Sequence, residues 1–155
     1  MSTVQTRTAT LADLDALAPL FDAYRQFYQC DPDPALARRF LHERLQNAES
    51  VVLLALDEAG EAVGFCQLYP TFCSVEARPI YTLYDLFVAP QARRTGAGRT
   101  LLRAAENLAA RNGKARMDLS TARTNTAAQS VYESLGWTRD ELFYVYNKRI
   151  VAGGY

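Results

Sequence analysis

The sequence predicts an α/β protein: a mixed β-sheet of about seven strands with helices on both faces, in the order β-α-α-β-β-β-α-β-α-β-β. Three observations carry that prediction. Residues 14–28 and 98–111 each repeat apolar side chains every three or four positions, the mark of an amphipathic helix. Residues 50–56 form a continuous apolar run, which suits a strand covered on both faces. Residues 82–103, TLYDLFVAPQARRTGAGRTLLR, pass directly from a strand through a loop into a helix.

The elements follow in order. Residues 4–8 alternate and read as a first strand. Thr10 and Asp13 have the spacing of a helix start. Leu14, Leu17, Phe21, Tyr24 and Tyr28 then make one apolar stripe, and the helix is expected to end near Cys30. Asp31, Pro32, Asp33 and Pro34 break the chain before a second helix, which buries Leu36, Phe40, Leu41 and Leu45. His42, the only histidine, falls beside that stripe and reads as a surface helix residue. Residues 57–60 form a turn in which Gly60 suits a positive φ, and residues 62–72 return as the second arm of a hairpin. A loop at 74–79 leads into the next strand at 80–88, which Pro90 ends by removing a ladder donor.

The helix at 98–111 buries Leu101, Leu102, Ala105, Leu108 and Ala109, and Asn112 with Gly113 stops it. Residues 115–121 are expected to be a strand and 125–135 a short helix ended by Gly136. Trp137 opens a last strand pair, with 142–150 as a long strand. That strand would carry aromatics on both faces (Phe143, Tyr144 and Tyr146), so one face is expected to line a site or a subunit contact. The tail at 152–155 is expected to fray.

With 155 residues, 49% of them apolar, the chain is the size of a single domain spanning 1–155 and can form a core. Its 17 basic and 17 acidic residues cancel, which argues against a general nucleic-acid binder. Cys30, Cys66 and Cys73 form no C-x-x-C pair, and an odd count fits no complete disulfide framework. They read as reduced packing thiols in a cytoplasmic protein. The first residues carry no apolar signal region and no run reaches membrane-spanning length, so neither a secretory leader nor a membrane partner is expected.

The loop at 89–99 is where chemistry concentrates. Four arginines and no acid lie between Gln91 and Arg103. Arg93, Arg94, Thr95, Gly96, Ala97, Gly98 and Arg99 feed a helix start, where unpaired N–H groups and the helix dipole favour an anion. A P-loop would need a Lys after Gly98, and a dinucleotide fingerprint would need Gly where Leu101 stands. What remains is R-x-x-G-x-G, at Arg93, Gly96 and Gly98. The competing account is a glycine-containing turn with solvated arginines.

From Asn125 the sequence reads NTAAQSVYESLGW. At about 3.6 residues per turn, Asn125 and Tyr132 share a helix face, with small Ala128 between them. Each alone is explained by capping or packing. Together, R-x-x-G-x-G followed by N-x-x-A-x-x-x-Y-x-x-x-G-[FW], filled here by Asn125, Ala128, Tyr132, Gly136 and Trp137, resembles the GNAT family of N-acetyltransferases. The element order agrees, so the resemblance covers nearly the whole chain. YDLFVAP and FYVYNKRI look most like the spermidine/spermine acetyltransferase members.

The resemblance implies acetyl transfer from acetyl-CoA to an amine, with no metal. Arg93 to Arg99 would hold the CoA pyrophosphate. A backbone N–H in the Leu86, Phe87, Val88 stretch would polarise the thioester carbonyl. Tyr132 would protonate the departing sulfur, and Asn125 would bond the pantetheine arm. The polyamine enzymes place a glutamate where this chain has Tyr84, which leaves Asp85 as the candidate base, with a structural acid hydrogen-bonded within the sheet as the competing reading. Tyr24, Tyr28, Tyr84 and Tyr144, with Phe27, Asp31, Asp33 and Tyr146, are acceptor-side candidates, since rings and carboxylates suit a cation. Taken singly, each of these residues is better explained by plain packing. The acceptor reads as a small-molecule amine such as a polyamine, an amino acid or a lysine analogue. A protein lysine or N-terminus, or a non-catalytic acetyl-CoA-binding module, are the alternatives. Family members are often homodimers, so a homodimer is expected.

Overall fold

The apolar run before the first turn becomes β2, Val51–Leu56, and Val52, Leu53, Leu54 and Ala55 are all buried, as a strand covered on both faces requires. The computed structural model describes residues 3–151, so the expectation for the tail lies outside the described residues. The chain divides into two units, Met1–Ser120 and Thr121–Tyr155.

The first unit is built on a five-stranded sheet in the order β1-β2-β3-β4-β5. The strands are β1, Gln5–Thr8; β2; β3, Ala62–Cys73; β4, Arg78–Val88; and β5, Met117–Asp118. Neighbours are antiparallel except β4 and β5, which run parallel through Tyr81↔Met117 and Thr82↔Asp118. The helices are α1, Leu14–Phe27; α2, Pro34–Gln46; and α3, Ala97–Arg111.

Helix α1 starts as its sequence requires. Thr10 and Asp13 make a reciprocal capping box, and Arg7 grips the Asp13 carboxylate through two bonds of 2.9 and 2.7 Å. That grip holds the Asp13 carboxyl down at about 2. Asp33 caps α2, with Pro34 at its first turn, and the buried Asp22 carboxylate accepts from the Asp33 N–H. Asp33 and Asp22 thereby fix the α1–α2 corner.

Leu17, Phe21, Ala37 and Leu41 press these helices onto Val52, Leu54, Phe65 and Phe87. At about 1.5–3 kcal/mol per fully buried large apolar side chain, Leu17 and Leu41 alone anchor the two helices firmly. Strand alternation sends Leu53 and Cys66 to the other face, where α3 packs and buries Leu101, Leu102, Ala105 and Ala109. Helices therefore cover both faces, as expected. The hairpin turn also forms: the Asp57 carboxylate accepts from the Ala59 and Glu61 N–H groups, and Gly60 has φ +80°.

In the second unit, α4, Thr126–Ser134, ends in a turn closed by the Trp137 N–H on the Tyr132 carbonyl at 3.0 Å, with Gly136 at φ +93°. Two strand expectations need correction. The expected strand at 115–121 shortens to Met117–Asp118, and 137–150 carries no strand at all among the described residues. The sheet thus has five strands where about seven were expected. Apolar and aromatic content signals that a segment tolerates a pleat; only a neighbour supplies the ladder. At the start of the expected strand the Asp140 carboxylate takes the Leu142 and Phe143 N–H groups, at 2.8 and 3.3 Å. No described helix is long and apolar enough to cross a membrane.

Candidate functional site

The site is organised by an irregularity in β4. Gln67 pairs with Asp85 while its neighbour Leu68 pairs with Leu83, so Tyr84 is an extra residue bulged out of the ladder. The bulge leaves Tyr84 68% exposed and puts Asp85 among the buried residues, 5% exposed. Beyond Thr82, β4 has no β5 partner among the described pairings. Among the described residues the backbone at Leu86, Phe87 and Val88 is therefore laddered to β3 alone.

Asp85 stands among polar and aromatic side chains. Gln67 Nε2 donates to its Oδ2 at 2.7 Å, and Ser50 Oγ donates to Gln67 Oε1 at 2.7 Å. The Tyr24 hydroxyl lies within hydrogen-bonding reach of the same carboxylate. Burial pushes the Asp85 carboxyl above the usual range, against the opposing pull of Gln67 and Tyr24. Burial, with the Asp85 charge beside it, drives the Tyr24 phenol well above its ordinary value. Tyr69 is pushed up to about 12, first by burial and then by Asp85. Rings extend outward from this point. Tyr24 meets Tyr28 edge-on at 5.2 Å, Phe27 meets Tyr28 at 5.3 Å, and Tyr84 meets Tyr69 at 5.6 Å. Tyr24 also packs on Phe65 and Phe87, so it belongs half to the core.

The cationic loop follows directly. Arg94 has φ +66°, and Gly96, the residue preceding α3, has φ +85°. No side chain caps α3, and the first helical bond runs from the Thr100 N–H to the Gly96 carbonyl. The N–H groups of Ala97, Gly98 and Arg99 thus start the helix without a capping side chain, which is the geometry that receives an anion. Thr95 Oγ1 ties the loop back to the Ala92 carbonyl at 2.6 Å. Arg93 turns inward: its Nε donates to the Val88 carbonyl at 3.0 Å and its guanidinium lies over Phe87 and Phe27. Arg94 and Arg99 are exposed. An open cavity of about 770 Å³ borders this loop, lined by Asp57, Glu58, Val63, Arg94, Thr95 and Gly96.

The first unit therefore brings together Asp85, Tyr24, Tyr28, Tyr84, the 86–88 backbone and the Arg93 to Arg99 loop. Asn125, Ala128, Tyr132 and Tyr144 belong to the second unit. There Asn125 Oδ1 caps α4 by accepting from the Ala128 N–H at 3.2 Å, Ala128 is half-buried, and the Tyr132 ring lies 6.1 Å from Trp137. Tyr144 is 84% exposed, and Tyr146 is exposed as well. Asp33 is committed to capping α2, while Asp31 is exposed. His42 is exposed on α2.

Gln67 and Ser50 were not expected at the site. The available signal was a lone amide inside the apolar strand text GFCQLY, where a buried polar residue must find a partner. The three cysteines are free thiols, and burial pushes Cys66 up to about 12. No cluster of metal-ligating side chains occurs among the described residues.

Comparison with known proteins adds the family. The model for the acetyltransferase (GNAT) family matches residues 17–137. An uncharacterised N-acetyltransferase of Bacillus subtilis (strain 168), YhfO, is 49% identical over 94% of this chain and 97% of that protein. The crystal structure of a probable acetyltransferase has a TM-score of 0.89 at 43% identity, over 95% of this chain and 98% of the other. The aminoglycoside N-acetyltransferase AAC(6')-Iy, solved in complex with CoA, shares the fold at a TM-score of 0.79 and 22% identity over 97% of both chains. The chain belongs to the acetyltransferase (GNAT) family and is an acetyl-CoA-dependent N-acetyltransferase.

Proposed function

We propose that this chain transfers the acetyl group of acetyl-CoA to the primary amine of a small molecule, with Asp85 as the base that takes the amine proton. One observation carries the acceptor half: a single carboxylate, buried 5% exposed, sits at a strand bulge beside tyrosine rings. A primary amine with a pKa of about 10.4 arrives as an ammonium and must lose a proton before it can attack. Desolvation lowers an ammonium's pKa and raises a carboxylate's, so burial brings donor and acceptor closer together. The raised Asp85 carboxyl fits that demand. Tyr28 and Tyr84, both exposed, would supply ring faces for the cation, and Tyr144 is a further candidate ring on the second unit. Tyr24 steadies Asp85.

On the donor side, the start of α3 and the arginines of the loop suit the CoA pyrophosphate through backbone N–H groups and charge. The backbone N–H groups at Leu86, Phe87 and Val88 lie on the part of β4 that has no β5 neighbour, and one of them would hold the thioester oxygen. Tyr132 would hand its phenolic proton to the sulfur, since a phenol of pKa about 10 can protonate a thiolate of pKa about 8.5. Asn125 spends Oδ1 on its cap, so its amide N–H would make the pantetheine contact, over the gap left by Ala128. The working form is taken to be a cytoplasmic homodimer without nucleic-acid or membrane partners.

The test is an amine panel of polyamines, both hands of the amino acids, lysine analogues, aminoglycosides and a lysine peptide, with acetyl-CoA and free-thiol detection. Turnover of a small amine, lost in Tyr132→Phe while CoA still binds, is the expected result. Turnover of the peptide alone would favour a protein acceptor. Silence, with acetyl-CoA still raising the melting temperature, would favour a binding module.

A further inference from the structure

The interior holds a row of polar side chains of which the reaction as described uses only Asp85. Ser50 lies just before β2, Gln67 on β3 and Asp85 on β4, and the register Val52↔Gln67 and Gln67↔Asp85 lines the last two side by side. Gln67 is 0% exposed. Its strand neighbours Cys66 and Leu68 are also fully buried, so an apolar residue would fill its place without needing partners. Instead both ends of the amide are used: Oε1 accepts from Ser50 Oγ and Nε2 donates to Asp85 Oδ2, each at 2.7 Å.

We propose that Gln67, braced by Ser50, is a positioning residue that fixes the orientation of the Asp85 carboxylate and holds it in its ionised, proton-accepting form. The inference rests on the assignment of Asp85 as base. The chemistry follows from donor and acceptor counting. A carboxylate only accepts hydrogen bonds, and an amide NH₂ only donates. With Nε2 on Oδ2 and the Tyr24 hydroxyl in reach of the same carboxylate, two donors face a group that can only accept, and both bonds favour its charged form. The N–H bond to the charged form also opposes the burial that would neutralise Asp85, keeping a base available in an apolar setting. Without Gln67 the carboxyl would hold its proton to higher pH and could turn away from the acceptor.

The other ionisable groups around Asp85 come from three elements. Tyr24, with Tyr28 beside it, comes from α1, Cys66 and Tyr69 from β3, and Tyr84 from β4 itself. Arg44 of α2 and Glu49 act on Tyr69 rather than on Asp85. Tyr24, Cys66 and Tyr69 are held neutral through the range in which a carboxyl titrates, because each is pushed upward.

The experiment is a pH titration of carboxyl carbon-13 signals in the full chain labelled at aspartate, with Asp85 assigned by its disappearance in Asp85→Asn. Gln67→Met keeps the volume and removes the donor. It is expected to raise the Asp85 midpoint by about one pH unit. Ser50→Ala, which leaves the core intact should Gln67→Met fold poorly, is expected to raise it by less. The acidic limb of kcat/KM for the amine should move with the midpoint, while KM for acetyl-CoA stays unchanged. A merely structural Gln67 would lower the melting temperature and leave the midpoint where it is, and that result in both variants would overturn the inference. Turnover of Asp85→Asn at the wild-type rate would overturn the base assignment and with it the catalytic use of this row. An inactive Asp85→Asn with an unmoved midpoint in Gln67→Met and Ser50→Ala would overturn the role of Gln67 alone.

Discussion

Gly96→Ala tests the anion loop quantitatively. Gly96 holds φ +85° and ψ 7°, in the left-handed region, immediately before α3. An L-residue pays about 1–2 kcal/mol for that conformation. The strain must appear in one of two places. If the loop keeps its shape, the folded state is destabilised, and the melting temperature falls by about 2–4 °C per kcal/mol for a chain of this size. If the loop relaxes, the fold is spared but the start of α3 loses the shape that the proposed pyrophosphate contact needs. Acetyl-CoA affinity then drops by roughly 5–30-fold for the same 1–2 kcal/mol. The two losses, measured by thermal melting without ligand and by calorimetric titration with CoA, should sum to about 1–2 kcal/mol. Gly96→Asn should lose less, because a short polar side chain tolerates this region better. Wild-type melting together with wild-type affinity in Gly96→Ala would refute the reasoning, as would an Asn variant that behaves no better than the Ala variant.

Two further predictions concern stability. A Cβ added at Gly64 would lie 2.8 Å from the Phe87 carbonyl oxygen, a backbone atom that can move only by bending β4. Gly64→Ala should therefore cost about 1–3 kcal/mol, read in chemical denaturation, and should raise KM for acetyl-CoA because the displaced carbonyl belongs to the stretch proposed to hold the thioester. The Asp13 carboxyl, held at about 2 by Arg7 against about 3.9 in the unfolded chain, contributes stability that is full above the unfolded value. That contribution is lost as pH falls from about 4 through about 2. Asp13→Asn should flatten this part of the acid unfolding curve and leave the rest of the profile alone.

Much of the first unit was legible because its signals are local. Thr10 and Asp13 announce a capping box, Asp33 and Pro34 announce the next helix, and the β2 run suits a strand covered on both faces. The turn into α3 was legible for the same reason, since Gly96 and the arginines fall within one short stretch. Residues 142–150 show where that reading stops. Their aromatic content is strand-like, but a strand exists only with a neighbour, and pairing is not written into one segment. The bulge at Tyr84 was likewise hidden, because it arises from the offset between Gln67↔Asp85 and Leu68↔Leu83 across two strands. Asp85 was named from its place in the strand text; its burial, and its dependence on Gln67, came from the sheet register.

The central claim is that Asp85 removes the amine proton, and the most direct measurement is the kcat of Asp85→Asn. It is followed by thiol release at saturating acetyl-CoA with the amine that the panel identifies. Asn keeps the shape and an acceptor oxygen for Gln67 but cannot take the proton. The account predicts a loss of about 10²–10⁴-fold in kcat. Acetyl-CoA affinity should be unchanged, and the melting temperature at neutral pH should be equal or higher. The raised Asp85 carboxyl means that ionisation costs the fold stability as pH climbs from the unfolded value through the folded one, and Asn removes that cost. A variant that turns over within a few-fold of wild type would contradict the claim and assign the proton to another group.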